Sequence, residues 1–269
     1  MPSPREYLLA RLWGPMASWG TIAVGEQRQT WTRPSRSGVL GLIAAALGIE
    51  RSQPAAHDAL ERALGLAVRV DAHGRPLRDY HTTQSPQQEA KRRWASRYDE
   101  IRNARKLNTI LSERHYVTEA SAAIALWLRP GHVEPVLASI VHRLRHPAFT
   151  LYLGRKASPI GLPPRPFLCT ATSLKEAFLA FDGAERAWLA KTDPKWRWLF
   201  PDLTPGSGAV PSAWLSRDDA DPADGRDSGL GPLRIAEHTA RRDAIRDRHM
   251  WTFDDREEVR VLLDGDNTP

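Results

Sequence analysis

The 269-residue sequence contains one cysteine, Cys169, and few of the features that mark secreted or membrane proteins. A single thiol excludes an internal disulfide and any CxxC metal pattern. No uninterrupted apolar run reaches the roughly 20 residues that a membrane-spanning helix needs. Met1 to Arg5 leads into a strand-like run rather than into the apolar centre of a signal peptide. We therefore expect a cytoplasmic protein that has no membrane association.

Motifs for the common catalytic and cofactor chemistries are also missing. The sequence contains no Walker A phosphate loop, no HExxH zinc motif and no GxSxG nucleophile elbow. The segment from Gly38 to Gly41 lacks the spacing of a dinucleotide-binding loop, and the nine histidines show no metal-ligand spacing with the cysteine. The sequence predicts no cofactor, no metal site and no catalytic residue.

Positive charge is abundant, but it is unevenly distributed. Residues 216–269 carry 9 Arg against 14 Asp or Glu, a net charge of −5, whereas residues 1–215 carry +11. A basic body favours a polyanionic partner such as nucleic acid. A generally basic protein without such a partner is the alternative.

Hydrophobic periodicity predicts an α+β fold with the element order β-α-β-β-α-β. The predicted strands cover residues 7–13, 66–70, 117–128 and 149–153, and the predicted helices cover 38–47, 54–64 and 132–144. We expect Ser37 to cap the first helix. This order is that of ferredoxin-like folds and of RRM-type RNA binders, although the fold alone does not give a function.

The chain divides into a predicted RRM-like domain, 1–170, and a less regular C-terminal extension, 171–269. Within the first part, residues 75–115 carry 10 Lys or Arg against 5 Asp or Glu and show little apolar periodicity. An insertion of this length is usually functional, and we interpret it as a protruding basic arm. The extension is predicted to hold a helix within 174–189, a flexible acidic loop at about 201–232 and a last strand at 257–263.

The loop that precedes the first helix is the first candidate binding site. It contains Arg28, Arg33 and Arg36 and leads to Ser37 at the helix start. Arginine forks bind phosphates with two hydrogen bonds, and a helix N-terminus offers free N–H groups. Only Glu26 lies nearby in the sequence to neutralise these arginines, so we interpret the loop as a phosphate-binding segment.

The end of the predicted fourth strand is the second candidate. Gly154 ends this strand and is followed by Arg155 and Lys156. A glycine allows a ligand to approach the backbone, the two cations supply charge, and Tyr152 can stack on a base. The alternative is an ordinary strand end with solvated basic residues.

A third group of residues flanks the basic arm and allows a catalytic alternative. Tyr80, His81 and His115 could form a metal-independent ribonuclease site by general acid–base catalysis. A hydrogen-bonded anchor for the base of the arm is the simpler interpretation, and we favour it.

Several segments together resemble the CasD family, subunits of the type I-E CRISPR surveillance complexes called Cascade. The segments are LARLWGPMASWG (9–20), RPSRSGVLGL (33–42), DYHT (79–82), RHY (114–116) and LYLGRK (151–156). They follow one another in the expected order, and the resemblance covers roughly residues 7–170. The part beyond about residue 174 is poorly covered.

The resemblance implies an RRM-like domain whose arm, about 79–116, is a β-hairpin thumb. It also implies a protein that holds the 5′ handle of CRISPR RNA (crRNA) and caps a filament of backbone subunits. The resemblance further implies contact with the large Cascade subunit and an indirect contact with target DNA near the seed end. The predicted RNA-binding residues are Arg28, Arg33, Arg36, Ser37, Lys106, Arg114, His115, Tyr152, Arg155 and Lys156.

The same resemblance argues against catalysis, because a separate endonuclease subunit processes the precursor RNA in type I-E systems. Two alternatives stay open at this point. One is the metal-independent endoribonuclease that processes CRISPR repeat RNA. The other is a ferredoxin-like scaffold subunit whose surface binds only protein.

Overall fold

The computed structural model describes residues 3–21, 23, 25–87, 93–192, 212–221, 228–231, 233–247, 250 and 252–263. The strands are β1 Arg5–Trp13, β2 Met16–Ala17, β3 Gln27–Arg28, β4 Leu64–Ala72, β5 Arg75–Pro86, β6 Leu107–Thr118, β7 Ser121–Leu128, β8 Phe167–Ala171, β9 Ser212–Ser216, β10 Arg234–Asp247 and β11 Thr252–Leu262. The helices are α1 Arg36–Leu47, α2 Pro54–Ala63, α3 Arg97–Asn103, α4 Leu137–Arg145, α5 Leu174–Lys191 and α6 Arg217–Ala220.

A seven-stranded antiparallel sheet forms the body of the protein, in the order β10-β11-β9-β4-β7-β1-β8. The inner strand β7, between β4 and β1, is buried from Ser121 to Trp127 without a break. A strand that is covered on both faces reads as a continuous apolar run, and the alanine-rich sequence of β7 fits that position.

Helices cover this sheet on both faces and create two apolar cores. Alternation along β1 sends Leu8, Ala10 and Leu12 to the core beneath α1 and α4, and Tyr7 and Leu9 to the core beneath α5. The strand predicted at 7–13 is thus confirmed, and it contributes to both cores. None of the described helices is long and apolar enough to cross a membrane.

A second, smaller sheet is built on a long hairpin. Strand β5 pairs with β6 from Arg75 opposite Thr118 to Pro86 opposite Leu107. On the other side of β6, the short strand β2 pairs antiparallel and β3 pairs parallel. The hairpin therefore anchors the segments that immediately follow β1 along the chain.

Several predicted boundaries differ from the structure for local reasons. Helix α1 is capped by Ser35 rather than Ser37, because the Ser35 hydroxyl accepts from the Gly38 N–H at 3.0 Å. Glu119 adopts a φ of 57° and divides the predicted strand 117–128 between β6 and β7. Helix α4 starts at Leu137, five residues after its predicted start at residue 132.

The predicted strand 149–153 is not a strand. It forms one isolated bridge, between Tyr152 and Pro159, and the neighbour of β1 is β8 instead. The segment carries the apolar residues of a strand because Leu151 and Leu153 are buried in the core beneath α1. Apolar alternation alone did not distinguish a packed loop from a strand.

The C-terminal part is more regular than predicted. Strands β9, β10 and β11 continue the main sheet beyond β4, so this part is not an irregular extension. Helix α5 confirms the helix predicted within 174–189. The predicted flexible loop 201–232 lies mostly outside the described residues, but β9 and α6 fall within it and are ordered.

Candidate nucleic-acid interface

Three distant segments of the chain meet at Arg155. Its guanidinium donates to the carbonyl oxygens of Arg28 at 2.9 Å and His115 at 3.3 Å. It also lies 5.0 Å from the centre of the Tyr116 ring. Carbonyl groups and an aromatic face orient a cation without cancelling its charge, so Arg155 holds the junction together and stays positive.

Other basic residues gather around this junction, which we call the Arg155 junction (Arg28, Arg114, His115, Arg155 and Lys156). Strand β3 places Arg28 beside Arg114 of β6. The Arg28 guanidinium donates to the carbonyls of Gly25 at 2.5 Å and Gln27 at 3.1 Å, again without a carboxylate in those bonds. Lys156 is exposed. The structure therefore brings together four of the predicted side chains and the main-chain carbonyl of His115, whose own side chain lies on the opposite face of β6 from Arg114.

Gly154 sets the position of the loop that carries Arg155. Its φ is +88°, and a Cβ atom there would lie 1.7 Å from the carbonyl oxygen of Ser18. The Ser18 N–H donates to the Leu153 carbonyl at 3.0 Å, which locks the two segments together. The sequence suggested that this glycine admits a ligand, but in the structure it admits the backbone of Ser18.

An open groove of about 1170 Å³ begins beside the junction. One wall is α1, with Ser37 at its start, and the loop around Tyr152 and Arg155 lies at the same wall. The β10–β11 hairpin also lines the groove, with Arg242 among its residues. Ser37 and Tyr152, which are far apart in the sequence, thus share one concave surface with Arg155.

Arg33 does not face this groove as a free cation. Its Nε and Nη2 donate to Glu258 at 3.0 and 2.6 Å, and its guanidinium lies 3.6 Å from the centre of the Trp214 ring. The side chain is buried, and its charge is neutralised inside the protein. The structure does not bear out the prediction that Arg33 contacts phosphates.

Arg36 is likewise buried by internal partners. It donates to the Glu61 carboxylate at 2.5 Å and to the carbonyls of Glu61 at 2.9 Å and Leu64 at 2.6 Å. The prediction that Arg36 binds phosphate is therefore not borne out either. Sequence reasoning considered only acids close in the chain, whereas the partner of Arg33 lies 225 residues away.

A buried cluster of ionic residues joins the β10–β11 hairpin to the start of α1. Arg241 donates to the carbonyls of Arg33 at 3.0 Å and Pro34 at 3.1 Å. The Asp243 carboxylate accepts from the Arg36 main-chain N–H at 2.9 Å and from Arg256 at 2.9 Å. Burial lowers the pKa of Arg241, although the nearby Glu258 and Asp243 act in the opposite direction.

Lys106 and the three residues of the ribonuclease alternative do not share one site. Lys106 lies eight residues before Arg114 in the β6 region, roughly 26 Å away along an extended chain. His115 is opposite Arg78, so it shares a face of the hairpin with Tyr80, whereas His81 is on the other face. His81 hydrogen-bonds to Asp79 there. The two histidines cannot act on the same phosphodiester.

The hairpin wall of the groove was missed by sequence reasoning. Arg242 and Ile245 line the groove, but they lie on a strand whose sequence alternates charges and gives no binding motif. Among the described residues, no three His, Cys, Asp or Glu side chains are grouped as a metal ion would require.

Comparison with known proteins assigns the chain to a family. The profile of a family described as CRISPR-associated protein (Cas_Cas5) matches residues 7–249. The chain belongs to the Cas5 family. The match extends from within β1 through the whole of β10, so it includes the groove lining from α1 and from β10.

Individual relatives agree with this assignment. The "CRISPR system Cascade subunit CasD" of Escherichia coli (strain K12) is 33% identical over 186 residues, which cover 66% of this chain and 78% of that protein. A chain of a "CRISPR RNA-guided surveillance complex" is similar in structure, with a TM-score of 0.55 and 24% identity over 97% of this chain and 89% of that one. The resemblance predicted from the sequence is confirmed, and the structural neighbour supports the fold.

Proposed function

We propose that this Cas5-family protein is a non-catalytic RNA-binding subunit of a type I-E Cascade complex and that it holds the 5′ handle of the crRNA. The observation that carries the proposal is the Arg155 junction. Cations from three separate segments meet there, and the hydrogen bonds of Arg28 and Arg155 go to carbonyl groups. Such cations keep the charge that a phosphate backbone requires.

The surface beside the junction suits a single strand rather than a duplex. Tyr152 is 37% exposed at the edge of the groove, where its ring can stack on an unpaired base. Single-stranded RNA is typically recognised by splayed bases that stack on aromatic side chains while basic residues hold the backbone. The junction and the groove together offer both kinds of contact.

The finer fold assignment is part of the proposal. We assign β1, α1, β4, β7, α4 and β8 to a ferredoxin-like unit, because β4, β7, β1 and β8 are adjacent and antiparallel. The β5–β6 hairpin corresponds to the thumb. Through the thumb and neighbouring surfaces the subunit caps the backbone-subunit filament in the cytoplasm, contacts the large subunit and lies near the seed end of the target DNA.

The first test removes two charges at the junction and measures how RNA affinity depends on salt. In the Arg28→Ala/Lys156→Ala variant, the slope of log affinity against log salt concentration should fall by about 1.4, since each phosphate contact to a single strand contributes about 0.7. Fluorescence anisotropy with a labelled 5′-handle RNA across a KCl series measures the slope.

A matched variant removes the same charge elsewhere. Arg62 and Arg143 are exposed on α2 and α4, away from the junction. Arg62→Ala/Arg143→Ala should leave the slope within experimental error of the unmodified protein. Equal slopes for both double variants would show that net charge, and not the junction, drives binding.

The second test addresses catalysis. Because His81 and His115 lie on opposite faces of the hairpin, we expect no cleavage when the purified protein is incubated with repeat RNA and EDTA. Denaturing gel electrophoresis detects the products. If the unmodified protein cleaved the RNA and His81→Ala did not, the protein would be an endoribonuclease and not a non-catalytic binding subunit.

A further inference from the structure

Helix α4 ends in a pair of histidines that RNA binding does not use. His142 lies in the last turn of the helix, His146 is its C-terminal cap, and both are exposed. The centres of their rings lie 5.3 Å apart, and the ring planes are tilted by 45°. The His146 main-chain N–H donates to the His142 carbonyl at 3.0 Å, which closes the last turn of the helix. This bond holds the two residues one turn apart on the same side of α4.

The two imidazoles differ from other histidines on the surface in having no acidic partner. His81 and His238 each form an ion pair with a carboxylate. Within the described part of the chain, the side chains of His142 and His146 form no hydrogen bond or ion pair, and their rings contact each other. A neutral imidazole carries one nitrogen lone pair. The pair therefore offers two nitrogen ligands that no internal group occupies.

The distance between the rings fits two ligands of one metal ion. Metal–nitrogen bonds of about 2.0–2.1 Å place a zinc ion about 3.2 Å from the centre of each ring, and a tetrahedral angle then separates the ring centres by about 5.2 Å. The observed separation is 5.3 Å. Zinc-binding helices use the same spacing of two histidines four residues apart. Because both rings are exposed, they can turn until one nitrogen of each faces the ion.

The charges around the pair permit a cation. The C-terminal end of a helix carries a partial negative charge, which favours a positive ion there. Arg143 and Arg145 lie next to the histidines in the sequence, but successive helical residues are about 100° apart, so these arginines project to either side of the pair. The Arg145 guanidinium donates to the Pro166 carbonyl at 3.4 Å, which turns it toward the loop before β8. The space between the two rings is therefore not filled by an arginine.

The ligand atoms determine which class of ion fits. Mg²⁺ and Ca²⁺ prefer oxygen ligands, and the pair supplies none from a side chain. Imidazole nitrogen suits Cu²⁺, Ni²⁺ and Zn²⁺, and the affinity of a given nitrogen site rises from Ni²⁺ to Cu²⁺. The chemistry of the pair thus favours a transition-metal ion.

We propose that His142 and His146 form a surface site for one transition-metal ion of the class Cu²⁺, Ni²⁺ and Zn²⁺, bound through one nitrogen of each ring. Water or a ligand from outside the chain occupies the remaining positions of the ion. The expectation of no metal site rested on spacing between histidines and Cys169, and it did not consider a helical pair of histidines. The site goes beyond RNA binding, because it lies on α4 and takes no part in the Arg155 junction or the lining of the groove.

Isothermal titration of the untagged protein with nickel chloride tests the site. His146→Ala should lower the affinity for Ni²⁺ by at least about tenfold, because a single imidazole replaces a two-ligand chelate. Copper chloride should bind the pair more tightly than nickel chloride, and magnesium chloride should show no difference between the unmodified protein and the variant. Since His146 is exposed, the melting temperature of His146→Ala in EDTA should equal that of the unmodified protein.

Two control variants separate geometry from the number of histidines. His73→Ala/His132→Ala removes two exposed histidines that lie outside the helices, and it should keep the affinity for Ni²⁺. His146→Ala/Arg143→His keeps the number of histidines but places the second one directly after His142, where the two side chains do not face each other. It should bind Ni²⁺ as weakly as His146→Ala, although one positive charge has been removed.

Three results would overturn the metal site. The first is equal Ni²⁺ affinity for the unmodified protein and His146→Ala, and the second is affinity restored by adding Arg143→His to His146→Ala. The third is a loss in His73→Ala/His132→Ala as large as in His146→Ala, which would mean that nickel binds exposed histidines regardless of their spacing. None of these results bears on the salt slope for RNA, so the metal site and the proposed function stand or fall separately.

Discussion

Glu258→Ala is expected to lower the free energy of unfolding by about 3–5 kcal/mol, which is typical when one partner of a buried ion pair is removed. Glu258 is 3% exposed and accepts from Arg33 at 2.6 Å and from Arg256 at 3.2 Å, with Arg241 at 3.5 Å. Without this carboxylate, the buried Arg33 guanidinium loses its ion-pair partner, and Arg241 and Arg256 lose one of theirs while Asp243 remains. Urea unfolding followed by tryptophan fluorescence measures the change.

Glu257 is the control for this prediction. It is the adjacent residue on β11, but its side chain is about half exposed and forms a surface ion pair with His238 at 2.6 Å. Glu257→Ala should change the stability by less than about 0.5 kcal/mol. Similar losses for the two variants would mean that the buried cluster contributes no more than a surface pair.

The same cluster separates a structural arginine from an RNA-binding one. Arg33→Ala should reproduce most of the stability loss of Glu258→Ala, because it breaks the same pair. Its salt slope for RNA should stay at the value of the unmodified protein, since its guanidinium is occupied internally. If Arg33→Ala kept full stability and reduced the salt slope for RNA, Arg33 would belong to the RNA-binding surface instead.

Local patterns in the sequence were enough to predict many of the strands and helices in the main sheet and its covering layers. The alternation along β1 and the apolar circumference of α1 reflect burial that neighbouring residues reveal by themselves. The C-terminal strands were harder, because β10 and β11 consist largely of charged residues. The strand predicted at 257–263 matches the apolar end of β11, but β10 was missed, because its strand conformation depends on pairing with β11, which no local pattern encodes.

The candidate site shows the same limit. The sequence placed an arginine loop and the segment around Tyr152 in one site, and the structure joins them through Arg28 and Arg155. It could not show which arginines the protein uses internally. That depends on carboxylates brought from the far end of the chain, as Arg33 and Glu258 illustrate.

Gly154→Ala is expected to damage the candidate site more than any single charge removal. A methyl group at this position would collide with the Ser18 carbonyl oxygen, which belongs to the backbone and cannot rotate away. The loop would have to move, and Tyr152 and Arg155 would move with it. We expect RNA affinity to fall by at least about tenfold, since stacking and charge contacts are lost together.

The contribution of backbone strain alone can be measured at Gly131. This residue has a similar φ of +81°, but a Cβ there would meet nothing within 4 Å. Gly131→Ala should therefore lower stability by about 1–2 kcal/mol through its left-handed conformation and leave RNA affinity unchanged. Anisotropy below the melting transition of each variant separates folding from binding. If Gly154→Ala bound RNA as tightly as Gly131→Ala, the loop at residues 149–155 would not need its contact with Ser18 to form the site.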